Sequence, residues 1–228
     1  MNSFKRHKHA ILLAALVSAA LIESFSHRWV LSDLFIMTTM LLVFLVVFER
    51  RLSRLVAFIA FAVVLGVVLA QYILPPSYSE HPLRLVYHSA ALLFVGFGAV
   101  VILRNIFERG VVRADDMFGA LCGYLLVAAA WSDLFSLIEI FLPGSFSVSP
   151  GFAAGLNTWH GRIAVMSYVS LGSLTSIGSG AIVVLRPPAT ILTTLEAVFG
   201  QFYIAVVVAM LVSARFSQRS HQNGSLQP

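Results

Sequence analysis

The residues best suited to do chemistry in this chain lie in one short run, Thr175-Ser176-Ile177-Gly178-Ser179-Gly180. Glycines at alternate positions, here Gly178 and Gly180, take positive φ without a Cβ clash. A strand that alternates handedness in this way turns successive carbonyls toward one side, and a row of such oxygens replaces the hydration shell of a cation. The backbone carbonyls of Ser176, Ile177, Gly178 and Ser179 are therefore candidate ligands for a monovalent cation, with the hydroxyl of Ser176 or Thr175 at the inner end. One chain offers one such loop, so stacked rings of oxygens require an oligomer; four chains around an axis would form them. A lone Gly-x-Gly is common, and its weight comes from what flanks it.

The other chemistry-bearing residues are scattered. Asp33, Asp133 and Glu139 fall near or inside apolar stretches, where acids are unfavourable and are paired or functional. Asp133 lies deepest and is expected to face protein or water, with a basic partner elsewhere or a proton-sensing role. Glu139 and Glu23 sit near the ends of apolar stretches and read as interfacial acids. His81, His88 and His160 are candidate pH sensors by residue type, yet no two of them sit at metal-ligand spacing on one helix. His7 and His9 stand beside Lys5, Arg6 and Lys8 and read as a basic cluster facing lipid headgroups. There is no Walker loop, no Gly-x-Ser-x-Gly and no zinc motif. Nothing points to an enzyme, and no cofactor beyond a bound cation is expected.

The elements that must position these residues follow from composition. Of 228 residues, 59% are hydrophobic and only 11% charged, and the mean hydropathy is +0.90. A soluble domain carries about 25% charged residues, so a soluble enzyme, a disordered chain and a fibrous repeat are excluded. The class that remains is a polytopic helical membrane protein. The net charge of +5 is spread over many short connections, so nucleic acid is not an expected partner. A lone cysteine, Cys122, excludes an intrachain disulfide framework.

Apolar windows fall at Ala10–Phe25, Trp29–Phe48, Leu55–Ile73, Leu85–Ile106, Asp116–Leu142 and Thr190–Ala214. A seventh piece, Ile163–Ile182, is interrupted by Ser and Gly throughout. With six full spans and a cytoplasmic amino terminus, the inner segments carry eleven Lys and Arg, ending with Arg215 and Arg219. The outer segments carry four, Arg28, Arg84, Arg162 and Arg186. This bias places both termini inside. If Ile163–Ile182 crossed fully, the last basic cluster would fall outside, so the segment is expected to enter and leave by one face. The first window is the shortest, and a signal peptide is the alternative reading of it. Leu74–Arg84 carries Pro75, Pro76 and Pro82 and reads as an irregular outer loop. Leu85–Ile106 has only Arg104, so a voltage sensor built on Arg at three-residue spacing is absent and gating by voltage is expected to be weak.

The flanks of the Gly-x-Gly carry a family likeness. Tyr168–Ile182 resembles the pore helix and filter of potassium-channel pore domains, with Ser176-Ile177-Gly178-Ser179-Gly180 in place of Thr-Val-Gly-Tyr-Gly. Leu195-Glu196-Ala197-Val198-Phe199-Gly200-Gln201-Phe202-Tyr203-Ile204-Ala205 resembles the inner helix of bacterial members of that superfamily. Phe118–Leu126, with Trp131 and Glu139, is similar to their outer helix. The likeness covers roughly Arg113–Arg215. Ser179 stands where the family has a Tyr that packs behind the filter, and Ala181 where it has an Asp that closes the outer end by hydrogen bonding.

The resemblance implies a transmembrane cation channel, conducting potassium with relaxed selectivity that admits sodium. It implies an all-α membrane protein: six transmembrane helices plus a re-entrant pore helix and filter loop, in a homotetramer around a central axis. The expected parts are a cytoplasmic segment 1–9, a four-helix domain 10–106 and a pore domain 113–217, then a polar tail 218–228. Within the pore domain they are outer helix 116–142, turret 143–159, pore helix and filter 160–182, and inner helix 190–214. Tyr168, Ala181 and Glu196 are expected to support the filter, and Gly200 to serve as a gating hinge or as a point of close helix packing. Expected partners are further copies of the chain, membrane lipids and monovalent cations, in a bacterial inner membrane. A non-conducting scaffold that keeps the pore fold is the alternative. A small secondary transporter is the weaker one, since the chain shows no inverted repeat.

Overall fold

A computed structural model describes residues 7–25, 29–48, 50–74, 80–108, 114–150 and 159–224. The Pro75-Pro76 part of the outer loop, the linker 109–113, most of the turret at 151–158, Lys5, Arg6 and the last four residues lie outside the described residues.

The chain is almost entirely helical. Seven helices are described: α1 Lys8–Phe25, α2 Trp29–Val47, α3 Arg51–Ile73, α4 Glu80–Phe107, α5 Ala114–Phe141, α6 Trp159–Leu174 and α7 Pro187–Gly224. Two short strands, β1 Phe146–Val148 and β2 Ile182–Val184, pair antiparallel with Phe146 opposite Val184. Five helices carry apolar runs long enough to cross a bilayer: Val30–Val47, Arg51–Ile73, His81–Ile106, Asp115–Phe141 and Pro187–Val207. The apolar run of α1, Lys8–Ala19, is shorter. In a bilayer, a helix satisfies its own backbone within one segment, which is why continuous apolar runs settle into this form.

α5 is the central helix. It packs along the whole of α4, the most extensive helix pairing in the fold, and also meets α1, α6 and α7. The linker that separates α4 from α5 in sequence therefore does not separate them in space. Lipid provides no hydrophobic drive between helices, so small residues that admit close contact decide which faces meet. Ala90, Ala91 and Ala99 of α4 and Ala120, Cys122 and Ala128 of α5 are buried in one continuous core reaching from α1 to the end of α6. Gly119 and Gly123 let α5 approach α4 closely: a Cβ there would stand 3.1 Å from Ile106 Cδ1 and 2.9 Å from Leu103 Cδ2, respectively. A second core, around Phe135, Phe146, Val165, Met166, Val169, Ile182 and Ala189, joins the β1–β2 hairpin to α5, α6 and the start of α7.

Polar side chains fasten both ends of the bundle. At the end away from the hairpin, His9 is buried rather than lipid-facing. Its Nδ1 lies 2.9 Å from Asp115 Oδ2, and Cys122 Sγ donates to the His9 carbonyl. This corrects the reading of His9 as part of a surface basic cluster; its partner lies 106 residues away, where no local pattern reveals it. Arg104 and Glu108 form an exposed pair one helical turn apart, and the guanidinium holds the Glu108 carboxyl below its ordinary range.

At the hairpin end, Asp33 of α2 ties three elements. Its Oδ1 is 2.9 Å from His160 Nε2 at the start of α6, and its Oδ2 accepts from Gln71 Nε2 and Tyr72 Oη of α3. Asp133 of α5 meets His88 Nδ1 of α4 at 2.8 Å, and the His88 ring stacks on Trp159. The carboxylate of Glu139 accepts from the amides of Gly144, Ser145 and Phe146, which fixes the turn from α5 into β1. Gly144 in that turn has φ +78°, which needs a glycine.

Replacing Asp33 by Ala strips the acceptor from Gln71, Tyr72 and His160 together. Donors left without partners cost up to about 1–3 kcal/mol where they are buried, and these three are partly so; Asp33→Ala is therefore expected to lower the apparent Tm in detergent, while Leu34→Ala on the exposed side of the same helix leaves it within a degree or so. Equal melting of the two variants would contradict the clamp.

Candidate functional site

Residues 175–180 follow directly from the last turn of α6 and run into β2. Their start is set by the end of a helix, where the last carbonyls lack intrahelical donors. The amide of Ser176 bonds the Ser173 carbonyl, and the amide of Gly178 bonds the Gly172 carbonyl at 2.9 Å, so the chain folds back on the helix it has just left. Pairing of Phe146–Val148 with Ile182–Val184, lengthened by the Ser149 amide on the Ala181 carbonyl, holds the far side of the loop.

The alternation of handedness is present, shifted from where the sequence placed it. Positive φ occurs at Ser176 (58°) and Gly178 (80°), and Gly180 is not among the residues with positive φ. A non-glycine residue in this region carries a steric penalty and persists where the surroundings hold it. Here Gln201 Nε2 of α7 donates to Ser176 Oγ at 2.9 Å. Thr175 Oγ1 turns back onto the Leu171 carbonyl, so of the two hydroxyls expected at the inner end only that of Ser176 faces α7. Ile177 is 84% exposed, and Gly178 and Gly180 are exposed beside it. The 178–179 peptide packs on Gly172, where a Cβ would lie 2.9 Å from Gly178 O. Among the four expected carbonyl ligands, that of Gly178 therefore lies against α6 in this conformation. Ser179 Oγ donates to the Ile182 carbonyl within the turn.

The residues expected to support the loop have separate fates. Glu196 of α7 is fully buried behind α6, with Oε1 2.5 Å from Ser170 Oγ. Ser170 Oγ also stands 2.7 Å from the Ala128 carbonyl of α5. A hydroxyl has one proton and serves only one of these acceptors, and Glu196 Oε2 has no partner. Ala181 joins the second core and extends the hairpin by one rung. Tyr168 lies on the exposed side of α6.

Gly200 sits where α7 crosses the end of α6. A Cβ there would lie 1.9 Å from the Leu174 carbonyl oxygen. α7 continues as one helix from Pro187 to Gly224, and this close approach is the packing role that the sequence offered for Gly200. The same carbonyl accepts from Tyr124 Oη of α5 at 3.1 Å. Tyr203, one turn beyond Gly200, donates to the Ala120 carbonyl and packs on Tyr124. Tyr124, Gly172, Gln201 and Tyr203 had no assigned role in the sequence. All four lie in the family-like stretches; Tyr124, Gln201 and Tyr203 act through contacts with distant segments, and Gly172 through the loop that follows its own helix.

Substitutions at two positions test this packing. Gly200→Ala drives a methyl into a backbone carbonyl, and overpacking of this kind costs about 1–3 kcal/mol or more; it is expected to lower the Tm further than Gly66→Ala, a site with open space around it. At Glu196, Gln keeps the shape and brings two donors, whereas Ala leaves a void behind α6. Glu196→Gln is expected to melt near the wild type and Glu196→Ala well below it; a Gln variant that melts as low as the Ala variant would show that the site needs a charged carboxylate.

Comparison with family models, curated proteins and solved structures finds no match for the chain.

Proposed function

We propose that the chain is one subunit of a homotetrameric cation channel of the potassium-channel superfamily, set in a bacterial inner membrane with both termini cytoplasmic. In this reading α1 to α5 and α7 cross the bilayer, α6 is the re-entrant pore helix, and residues 175–180 line the pathway. Monovalent cations, potassium and less selectively sodium, pass along backbone carbonyls, with Ser176 Oγ below them. The chain is not an enzyme.

The observation that carries the proposal is positive φ at Ser176 and Gly178 in an exposed loop between a helix end and a hairpin. Alternating handedness at membrane depth is tolerated where backbone lines a watery cavity or is buried by protein. Two further observations support it. Ile177 exposes an apolar side chain at the loop tip, which neighbouring copies would cover. α7 leaves Ile191, Leu195, Phe199 and Phe202 exposed at spacings of four, four and three, a single helical stripe suited to lipid or to other copies. The lack of a large side chain at Ser179 and of an acid at Ala181 favours a looser filter and relaxed selectivity. Contact of the Gly178 peptide with Gly172 favours the second reading, a non-conducting membrane scaffold with a pore-like fold.

Reconstitution in planar bilayers under bi-ionic potassium and sodium decides between them. The expected result is a cation current with comparable permeability to both ions, shifted toward potassium by combining Ser179→Tyr with Ala181→Asp. A strongly potassium-selective wild-type current would remove the relaxed filter. Absence of current, together with absence of flux in liposomes, would leave the scaffold reading.

A further inference from the structure

A cavity of about 180 Å³ opens at the hairpin end, between the first turns of α4, the last turns of α5 and the start of α6. Its lining carries two arginines, Arg84 and Arg162, and two histidines, His81 and His88, against one acid, Glu139. Pro143 closes the rim, and its carbonyl accepts from Arg186 Nη2. Three of the four arginines assigned by sequence to this end of the molecule thus gather around one small space. Topology does not account for the gathering, because basic residues are sparse on the side opposite the main basic clusters.

Two acids nearby, Glu139 and Asp133, are already engaged. Glu139 accepts from three backbone amides of the α5–β1 turn, and Asp133, behind the wall, is paired with His88. Arg162 Nε is buried with no hydrogen-bond partner. A buried cationic donor without an acceptor is strongly unfavourable. Arg162 also occupies the first turn of a sixteen-residue helix, the positive end of the helix dipole, where a cation is disfavoured and an anion favoured. An anion held between the two guanidinium groups removes all of these penalties at once, and phosphate oxygens match the planar guanidinium fork.

We propose that this cavity is a binding site for a phosphate group, held by Arg84 and Arg162 with Arg186 at the rim. The phosphate comes either from an anionic phospholipid headgroup of the adjoining leaflet or from free inorganic phosphate. The site depends on one subunit and stands whether or not the chain conducts ions.

The test uses the purified full-length protein in detergent. Native mass spectrometry measures retention of phosphatidylglycerol against phosphatidylcholine, and thermal unfolding measures protection by inorganic phosphate against chloride at equal ionic strength. If a lipid headgroup is the ligand, phosphatidylglycerol is retained in preference, and Arg162→Gln reduces that preference about tenfold, the effect of one charge-assisted hydrogen bond of about 1.4 kcal/mol. If free phosphate is the ligand, phosphate alone raises the Tm and Arg162→Gln abolishes the rise. Arg84→Gln repeats both arms should Arg162→Gln not fold. Arg104→Gln, at the other end of α4, is expected to change neither. The proposal is overturned if the wild type shows no preference in either arm, if both cavity variants keep the wild-type preference, or if Arg104→Gln loses as much as they do.

Discussion

The placement of residues 175–180 depends on one carbonyl group, that of Leu174. It ends α6, and like all terminal helix carbonyls it lacks an intrahelical donor. Tyr124 of α5 supplies one. Gly200 lets α7 press against the same group, and the next residue, Gln201, reaches the Ser176 hydroxyl. From the inner side Gly172 admits the 178–179 peptide. Two helices and the loop itself therefore converge on the end of a third through contacts that no larger side chain at positions 172 or 200 would permit. An irregular segment has no ladder of its own to satisfy its backbone, so it is as stable as the partners brought to it.

The same constraint governs the polar side chains within the bundle. Packing between apolar helices in lipid has little directional preference, whereas a buried acid demands a partner in one place. Asp33 joins α2 to α3 and α6, Asp133 joins α5 to α4, and Glu196 joins α7 to α6. Two of these joints, at Asp33 and Glu196, involve α6. The helix that presents the 175–180 loop is thus tied by polar contacts to α2, α5 and α7, and the front helices are linked to it through His160 as well as through the apolar core.

Much of the architecture was legible in the chain. The apolar windows fall on helices because a run of some twenty apolar residues has few ways to satisfy its backbone other than a helix. The end of α6 near Leu174 was legible as well, since Thr175–Gly180 breaks the apolar pattern. The hairpin was not: three-residue strands within a stretch of Gly, Ser and Pro show no period of two long enough to read. Positive φ was placed at Gly178 and Gly180 because glycine is the residue that bears it without strain. The structure places it at Gly178 and at Ser176, where a hydrogen bond from another helix holds it.

Sequence alone thus pointed to helices in the apolar windows, six of them read as spans, and to the place where the pattern breaks, because these follow from local composition and spacing; in the structure five helices are long and apolar enough to cross a bilayer. Tertiary structure decided which residues meet. His9 finds Asp115, His160 finds Asp33, Arg84 meets Arg162 across a cavity, and Gly200 lies against Leu174. Each pairing joins segments far apart in the chain, and each depends on distances of a few ångströms that only the packed bundle sets.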